Sequence, residues 1–193
     1  MSYAALVLAA GAARRFGGDK LSAAFHGEPL IHHAIRAARA APVARVIVVC
    51  SDRLALDDGL GDWPGEPPVE VVRIASTALS QSLQAGVAAA GRASGLFVFL
   101  GDMPLIPHHV AGALVAALGD RFAAVPRCEG RNGHPVLLSA RAFGEIASLT
   151  GDEGAGRLLK RRDDVAFVET RDEGILLDID RAEDLARLEA RET

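Results

Sequence analysis

The residues best suited to chemistry follow the first apolar stretch, in the run Leu8-Ala-Ala-Gly-Ala-Ala-Arg-Arg-Phe-Gly-Gly-Asp-Lys-Leu21. Gly11, Gly17 and Gly18 free the backbone to turn and let its N–H groups face an anion. Arg15 and Lys20 set two cations beside that nest. Such a loop suits a polyphosphate better than a neutral ligand. A Walker A loop is excluded, because five residues separate Gly11 from Gly17 and Lys20 is followed by Leu21 rather than Ser or Thr. The dinucleotide fingerprint G-x-G-x-x-G is absent too. The plain alternative is an ordinary strand-to-helix turn with exposed arginines.

Leu100-Gly-Asp-Met-Pro104 supplies a carboxylate at the end of another apolar run. Pro104 biases Met103 away from helix, so Asp102 is expected to project from a sheet edge. There it is a hard oxygen ligand suited to Mg²⁺ on nucleotide phosphates. Its rival role, capping the next helix, is weakened because that helix starts near Pro107. Asp178-Ile-Asp180 puts two aspartates at period two, hence on one face if extended. Either would complete a metal site with Asp102. Asp180 also stands three residues before Glu183, the spacing of a capping box. Ser80 and Ser82 open a helical pattern where either could be an N-cap.

Apolar runs and helical patterns alternate to position these residues. Strands are expected at 4–9, 45–50, 69–74, 95–100, 122–126, 135–139 and 166–169. Helices are expected at 29–41, 79–90, 107–118, 140–149, 155–161 and 182–192. The order βαβα implies a parallel sheet covered on both faces, with its strand-to-helix loops along one edge. The fold class is therefore α/β, a single three-layer α/β/α, Rossmann-like domain over residues 1–193 with a mainly parallel sheet. The stretch 57–68, rich in Asp, Gly and Pro, reads as a surface loop.

Composition excludes several classes. The chain has 193 residues and a net charge of −4, with scattered arginines and no basic stripe, so nucleic acid is not an expected partner. Its two cysteines, Cys50 and Cys128, lie far apart with no metal-ligand spacing, as for free thiols in a reducing compartment. The apolar start lacks a basic region before it, and no run approaches the ~20 residues of a membrane helix. A cytoplasmic location, away from membranes, is expected.

The Leu8–Leu21 loop resembles the signature L-A-A-G-x-S-x-R-M-G-x-x-K-L of the MobA-like nucleotidyltransferases, and most of all the molybdenum cofactor cytidylyltransferases. Gly11, Arg15, Gly17 and Lys20 fall on its positions, while Ala13 replaces a Ser and Phe16 a Met. Gly-Asp-Met-Pro is similar to that family's metal motif, and Gly133-His-Pro-Val136 to a segment near the second substrate. Asn132 stands where many relatives carry Arg. Gly151-Asp-Glu-Gly-Ala155 resembles G-D-x-G-A-R, with Gly156 in the Arg position and Arg157 one residue later. Asp178-Ile-Asp180 with Glu183-Asp184-Leu185 is close to D-I-D-T-P-E-D-L. Ser80-Gln-Ser-Leu-Gln-Ala-Gly86 is similar to a stretch near the nucleotide base. These landmarks keep the family's order from residue 4 to about 188.

The resemblance implies nucleotidyl transfer with release of pyrophosphate. Leu8, Ala9, Ala10, Gly11, Ala12, Arg15, Gly17 and Lys20 would then hold the nucleotide, with Ser80 and Ser82 near its base. Arg15, Lys20 and Asp102 would be catalytic, and Asp102 with Asp178 or Asp180 would bind Mg²⁺. His134 would contact a pterin or its phosphate, unless it only fixes a turn. The implied substrates are CTP and molybdopterin, with a client molybdoenzyme as recipient. The cytidine preference rests on Leu-Ala-Ala-Gly, where guanylyl-transferring relatives show Leu-Ala-Gly-Gly. The rivals are GTP as donor, a sugar or alcohol phosphate as acceptor, or a binding protein without turnover.

Overall fold

The structure is a computed structural model that describes residues 2–11, 16, 19–52, 54, 65–75 and 78–191. β1 (Tyr3–Ala9) is followed by a hairpin of β2 (Ala24–Phe25) and β3 (Glu28–Pro29), then α1 (Leu30–Ala40). Next come β4 (Val46–Ser51), β5 (Val69–Ile74), α2 (Leu79–Ala90), β6 (Gly95–Leu100) and α3 (His108–Leu118). The second half runs β7 (Ala123–Cys128), β8 (Arg131–Asn132), β9 (Val136–Ser139), α4 (Ala142–Ile146), α5 (Ala155–Leu159), β10 (Val165–Glu169) and α6 (Ala182–Arg191). Most of 57–68, and residues 12–15 and 17–18 of the loop after β1, fall outside the described residues.

The main sheet has the order β10-β7-β9-β6-β1-β4-β5, with β8 paired to β7. β1 alternates its apolar residues between the faces. Ala5 and Val7 join a core with Ile31 and Ile35 of α1 and Leu114 of α3. Ala4 and Leu6 join another with Leu83 of α2 and Ile146 of α4. Burial on both faces is what makes a parallel central strand read as a continuous apolar run. The three-layer expectation is met.

β9 departs from the parallel pattern, pairing antiparallel with β6 and β7. Glu129 to Pro135 is too short for the helical crossover a parallel return would need. The expected helix 140–149 contracts to α4, and 155–161 to α5. Short pieces also appear that no periodicity marks, the β2–β3 hairpin and a 3₁₀ turn at Lys20–Ser22. Among the described residues no helix is long and apolar enough to cross a membrane.

The C-terminal segment is not simply extended. Residues Glu173–Leu176 form a 3₁₀ turn, capped by Asp172 whose carboxylate accepts from the Gly174 N–H. The chain then straps across the sheet's C-terminal edge. The Ile179 N–H donates to the Asp102 carbonyl at 3.0 Å, and the His134 N–H to the Ile175 carbonyl at 2.9 Å. Beneath the strap Ile179 and Leu188 pack with Phe25 and Leu30, tying it to the hairpin after the glycine loop. At Gly133 and Gly174 the approach leaves no room for a side chain. A Cβ would lie 2.4 Å from the Ile175 carbonyl oxygen at Gly133, and 2.1 Å from that of Leu105 at Gly174.

Candidate active site

The C-terminal ends of β1 and β6 lie side by side, where the Gly101 N–H donates to the Leu8 carbonyl at 2.9 Å. Two loops and the strap meet there. The Lys20 ammonium donates to Asp102 Oδ2 at 2.7 Å and lies 3.6 Å from Asp180 Oδ1. Lys20 is buried to 9% exposure, so its charge needs these carboxylates. Asp102 does not cap α3, whose N-cap is Pro107. Its second oxygen, Oδ1, is buried with no hydrogen-bond partner among the described residues.

Asp178 belongs to the same electrostatic group. Burial pushes its carboxyl above the ordinary value, and the negative charges of Asp102 and Asp180 push the same way. Its backbone hydrogen bond and Lys20 oppose the rise. Three carboxylates against one ammonium leave a net charge of −2 among the described residues, which a divalent cation would neutralise. Among those residues no three His, Cys, Asp or Glu side chains converge to enclose a metal alone. A hard cation here would take ligands from phosphate oxygens and water as well, the usual habit of Mg²⁺. The unsatisfied Asp102 Oδ1 gives it a first protein ligand.

Asp180 is not the only carboxylate at the start of α6. The N–H groups of Asp180 and Arg181 both donate to Asp184 Oδ2, at 3.2 and 2.8 Å. The reach-back expected from Glu183 comes from Asp184.

Beside this centre opens a cavity of about 590 Å³, a size usual for small-molecule sites. Leu8, Leu100 and His134 line its near end. His134 Nδ1 lies 3.2 Å from the Val98 carbonyl, which can only accept, so Nδ1 carries a proton. Burial lowers the imidazole's affinity for a second proton, outweighing the Val98 bond and the charges of Asp102 and Asp178. Nε2 is then an acceptor, unsuited to a phosphate oxygen and suited to a ring N–H. The unfolded chain binds a proton at the ordinary value of 6.5 while the folded one resists it. Acidification from 6.5 toward the lowered folded value should therefore cost the wild type stability that His134→Asn keeps. Melting temperatures across pH 4–8 check this (a parallel slope in both proteins would remove the assignment).

The remaining sequence candidates divide. Gly11 is exposed, with open space where a Cβ would stand. Ala9 and Ala10 are buried. Ala12, Arg15 and Gly17 lie outside the described residues. Ser80 does not cap α2, which has Ala78 as N-cap without a side-chain bond, and among the described residues its buried hydroxyl has no partner. The Ser82 hydroxyl donates back to the Ala78 carbonyl at 3.2 Å. Gly154, Ala155 and Gly156 line the cavity, but Arg157 turns to pair with Glu153. Asp152 does not cap α5, whose N-cap is Gly154. Lys160, Arg162 and Phe167 line the far side and were not singled out in the sequence. Arg162 is already engaged by Asp164 and Glu145.

Residues 5–165 match the family model described as the MobA-like NTP transferase domain. The chain belongs to this family of nucleotidyltransferases. It is 32% identical over 187 residues to the "Purine catabolism protein PucB" of Bacillus subtilis, covering 92% of this chain and 91% of that one. A 2-C-methyl-D-erythritol 4-phosphate cytidylyltransferase of Laribacter hongkongensis is 36% identical over 104 residues, 51% of this chain and 44% of the relative. The crystal structure of Rv0371c from Mycobacterium tuberculosis superposes with a TM-score of 0.83 at 26% identity, over 98% of this chain and 99% of that one. A further structure of Rv0371c is a complex with manganese, alike in fold at a TM-score of 0.81 and 24% identity, over 98% of this chain and 99% of that one. The family match ends before the strap, so Asp178 and Asp180 lie outside it.

Proposed function

We propose that this transferase moves a cytidylyl group from CTP to the phosphate of molybdopterin and releases pyrophosphate, in a single domain spanning residues 1–193. The observation that carries the reading is the Lys20–Asp102–Asp180 cluster at the C-terminal end of β6, the strand whose Val98 and Leu100 line the cavity. A charged centre for phosphates beside a pocket for a large acceptor is what such a transfer requires.

An acceptor phosphate oxygen attacks the α-phosphorus of CTP, and the bond from that phosphorus to the pyrophosphate oxygen breaks. Lys20, Arg15 and the loop amides from Leu8 to Gly17 hold the triphosphate and offset charge on the leaving group. Asp102, with Asp178 or Asp180, would hold Mg²⁺. Bound there, the ion would supply charge neutralisation for the phosphates. Ser80 offers its hydroxyl toward the base side, and His134 Nε2 accepts from a substrate N–H or O–H at the near end of the cavity.

The cytidine preference is supported by Leu8-Ala-Ala-Gly11 and by the cytidylyltransferase relative. The relative named for purine catabolism is compatible with a client molybdoenzyme that oxidises purines. Isothermal titration with CTP, GTP and ATP in the presence of Mg²⁺ should show CTP bound at least about tenfold tighter, ~1.4 kcal/mol. Preferential GTP binding would overturn the donor assignment. A sugar or alcohol phosphate acceptor is the second reading, favoured by the same cytidylyltransferase relative. Pyrophosphate release with each acceptor in turn separates the two.

A further inference from the structure

The cavity extends well beyond the carboxylate centre. Phe167 of β10 is the register partner of Val125 of β7, and Val136 of β9 that of Val98 of β6. All four side chains line the same cavity. Their strands are consecutive in the sheet, so three spacings of ~4.8 Å carry its floor ~14 Å from β6 to β10. The near end adjoins Asp102. Phe167 forms the far end.

Phe167 is 46% exposed, the one large hydrophobic side chain so exposed among the described residues. It is nevertheless held in place. Arg127 stands two residues beyond Val125 and so on the same face of β7. Its guanidinium carbon lies 3.6 Å from the Phe167 ring centroid. Arg127 Nε in turn donates to Asn132 Oδ1 at 3.0 Å, across the β7–β8 pair. The ring is held by the cation and the cation by the amide. The result is a flat, polarised surface at the sheet's edge, adding little to either core.

We propose that Phe167 and Arg127 form a stacking platform for a planar heteroaromatic ring at the distal end of the acceptor. This rests on the acceptor reading above and makes the two residues specificity determinants rather than catalytic ones. The ligand ring lies against the phenyl face turned away from Arg127, whose guanidinium holds the phenyl plane from the other side. The acceptor's phosphate then lies toward the near end of this floor, beside the carboxylate centre. A short sugar or alcohol phosphate cannot occupy both ends.

The test uses the intact protein and 6-hydroxymethylpterin, whose ring has only to reach the platform, followed by the probe's own fluorescence. Phe167→Leu keeps apolar bulk but loses the ring face, and Phe167→Trp keeps the face. Phe167→Leu and Arg127→Ala should each weaken probe binding about tenfold, the scale of one aromatic stacking contact. Phe167→Trp should restore it to within about twofold, with CTP affinity unchanged in all three. Circular dichroism and melting establish that each variant folds. Probe binding within about twofold of wild type in both Phe167→Leu and Arg127→Ala would overturn the platform, as would a wild type that binds no probe. Phe167-dependent binding without transfer to molybdopterin would keep the platform and overturn the transfer reading instead.

Discussion

Replacing Asp102 by Asn should lower turnover about 10³-fold, roughly 4 kcal/mol of transition-state stabilisation. The substitution keeps the side chain's shape, so packing around it is preserved. What changes is charge at the point where strand β6 delivers it. Asp102 Oδ2 holds the Lys20 ammonium at 2.7 Å, while Oδ1 is buried and unsatisfied. An amide supplies one weak acceptor and an unwanted donor in place of two anionic oxygens. The local balance of three carboxylates and one ammonium falls from −2 to −1, halving the attraction for a divalent cation. Asp178 loses one of the charges that raise its carboxyl, so its pKa should move back toward 3.8. Single-turnover pyrophosphate release at saturating CTP and Mg²⁺ reads the main effect, and a thermal melt confirms folding. Turnover within tenfold of wild type would rule out Asp102 as the metal-binding carboxylate.

Much of this centre was legible in the sequence, for definable reasons. β1 and β6 carry apolar residues on both faces, and a strand buried on both sides can hardly read otherwise. Asp102 follows β6 directly, so its place at the sheet edge came with the strand. Direction and long-range pairing were less accessible. Nothing within Val136–Ser139 says that β9 runs antiparallel; the shortness of its connection to β7 says so. Lys20 reads as a phosphate ligand from its loop, yet its contact with Asp102 spans 82 residues, which no local spacing reports. The capping partner at α6 went to Asp184 because backbone N–H groups of both Asp180 and Arg181 reach it. Phe167 sits in a strand whose apolar residues looked alike. Only the edge position of β10 and the diagonal Arg127 set it apart.

Gly174→Ala is expected to act on stability and activity together, through the strap. A Cβ at 174 would stand 2.1 Å from the Leu105 carbonyl oxygen and 3.0 Å from Asp172 Oδ1. Neither can retreat cheaply. The first is backbone in the loop after Asp102, and the second caps the 3₁₀ turn through the Gly174 N–H at 2.9 Å. The strap must therefore shift away from the sheet edge, at a cost of about 2 kcal/mol for an overpacked site. For a chain of this size that lowers the melting temperature by ~4–8 °C. The shift also strains the bonds that place the tail carboxylates, from Ile179 to the Asp102 carbonyl and from His134 to the Ile175 carbonyl. Turnover should fall as Asp178 and Asp180 drift from Lys20, and unlike the Asp102→Asn loss it should partly recover with excess Mg²⁺. Gly112→Ala is the control of opposite sign. It lies within α3 with nothing inside 4 Å of its added methyl, so the helix should gain about 0.5–1 kcal/mol. Equal melting temperatures for Gly174→Ala and wild type would mean that the strap is not held where its glycine packs.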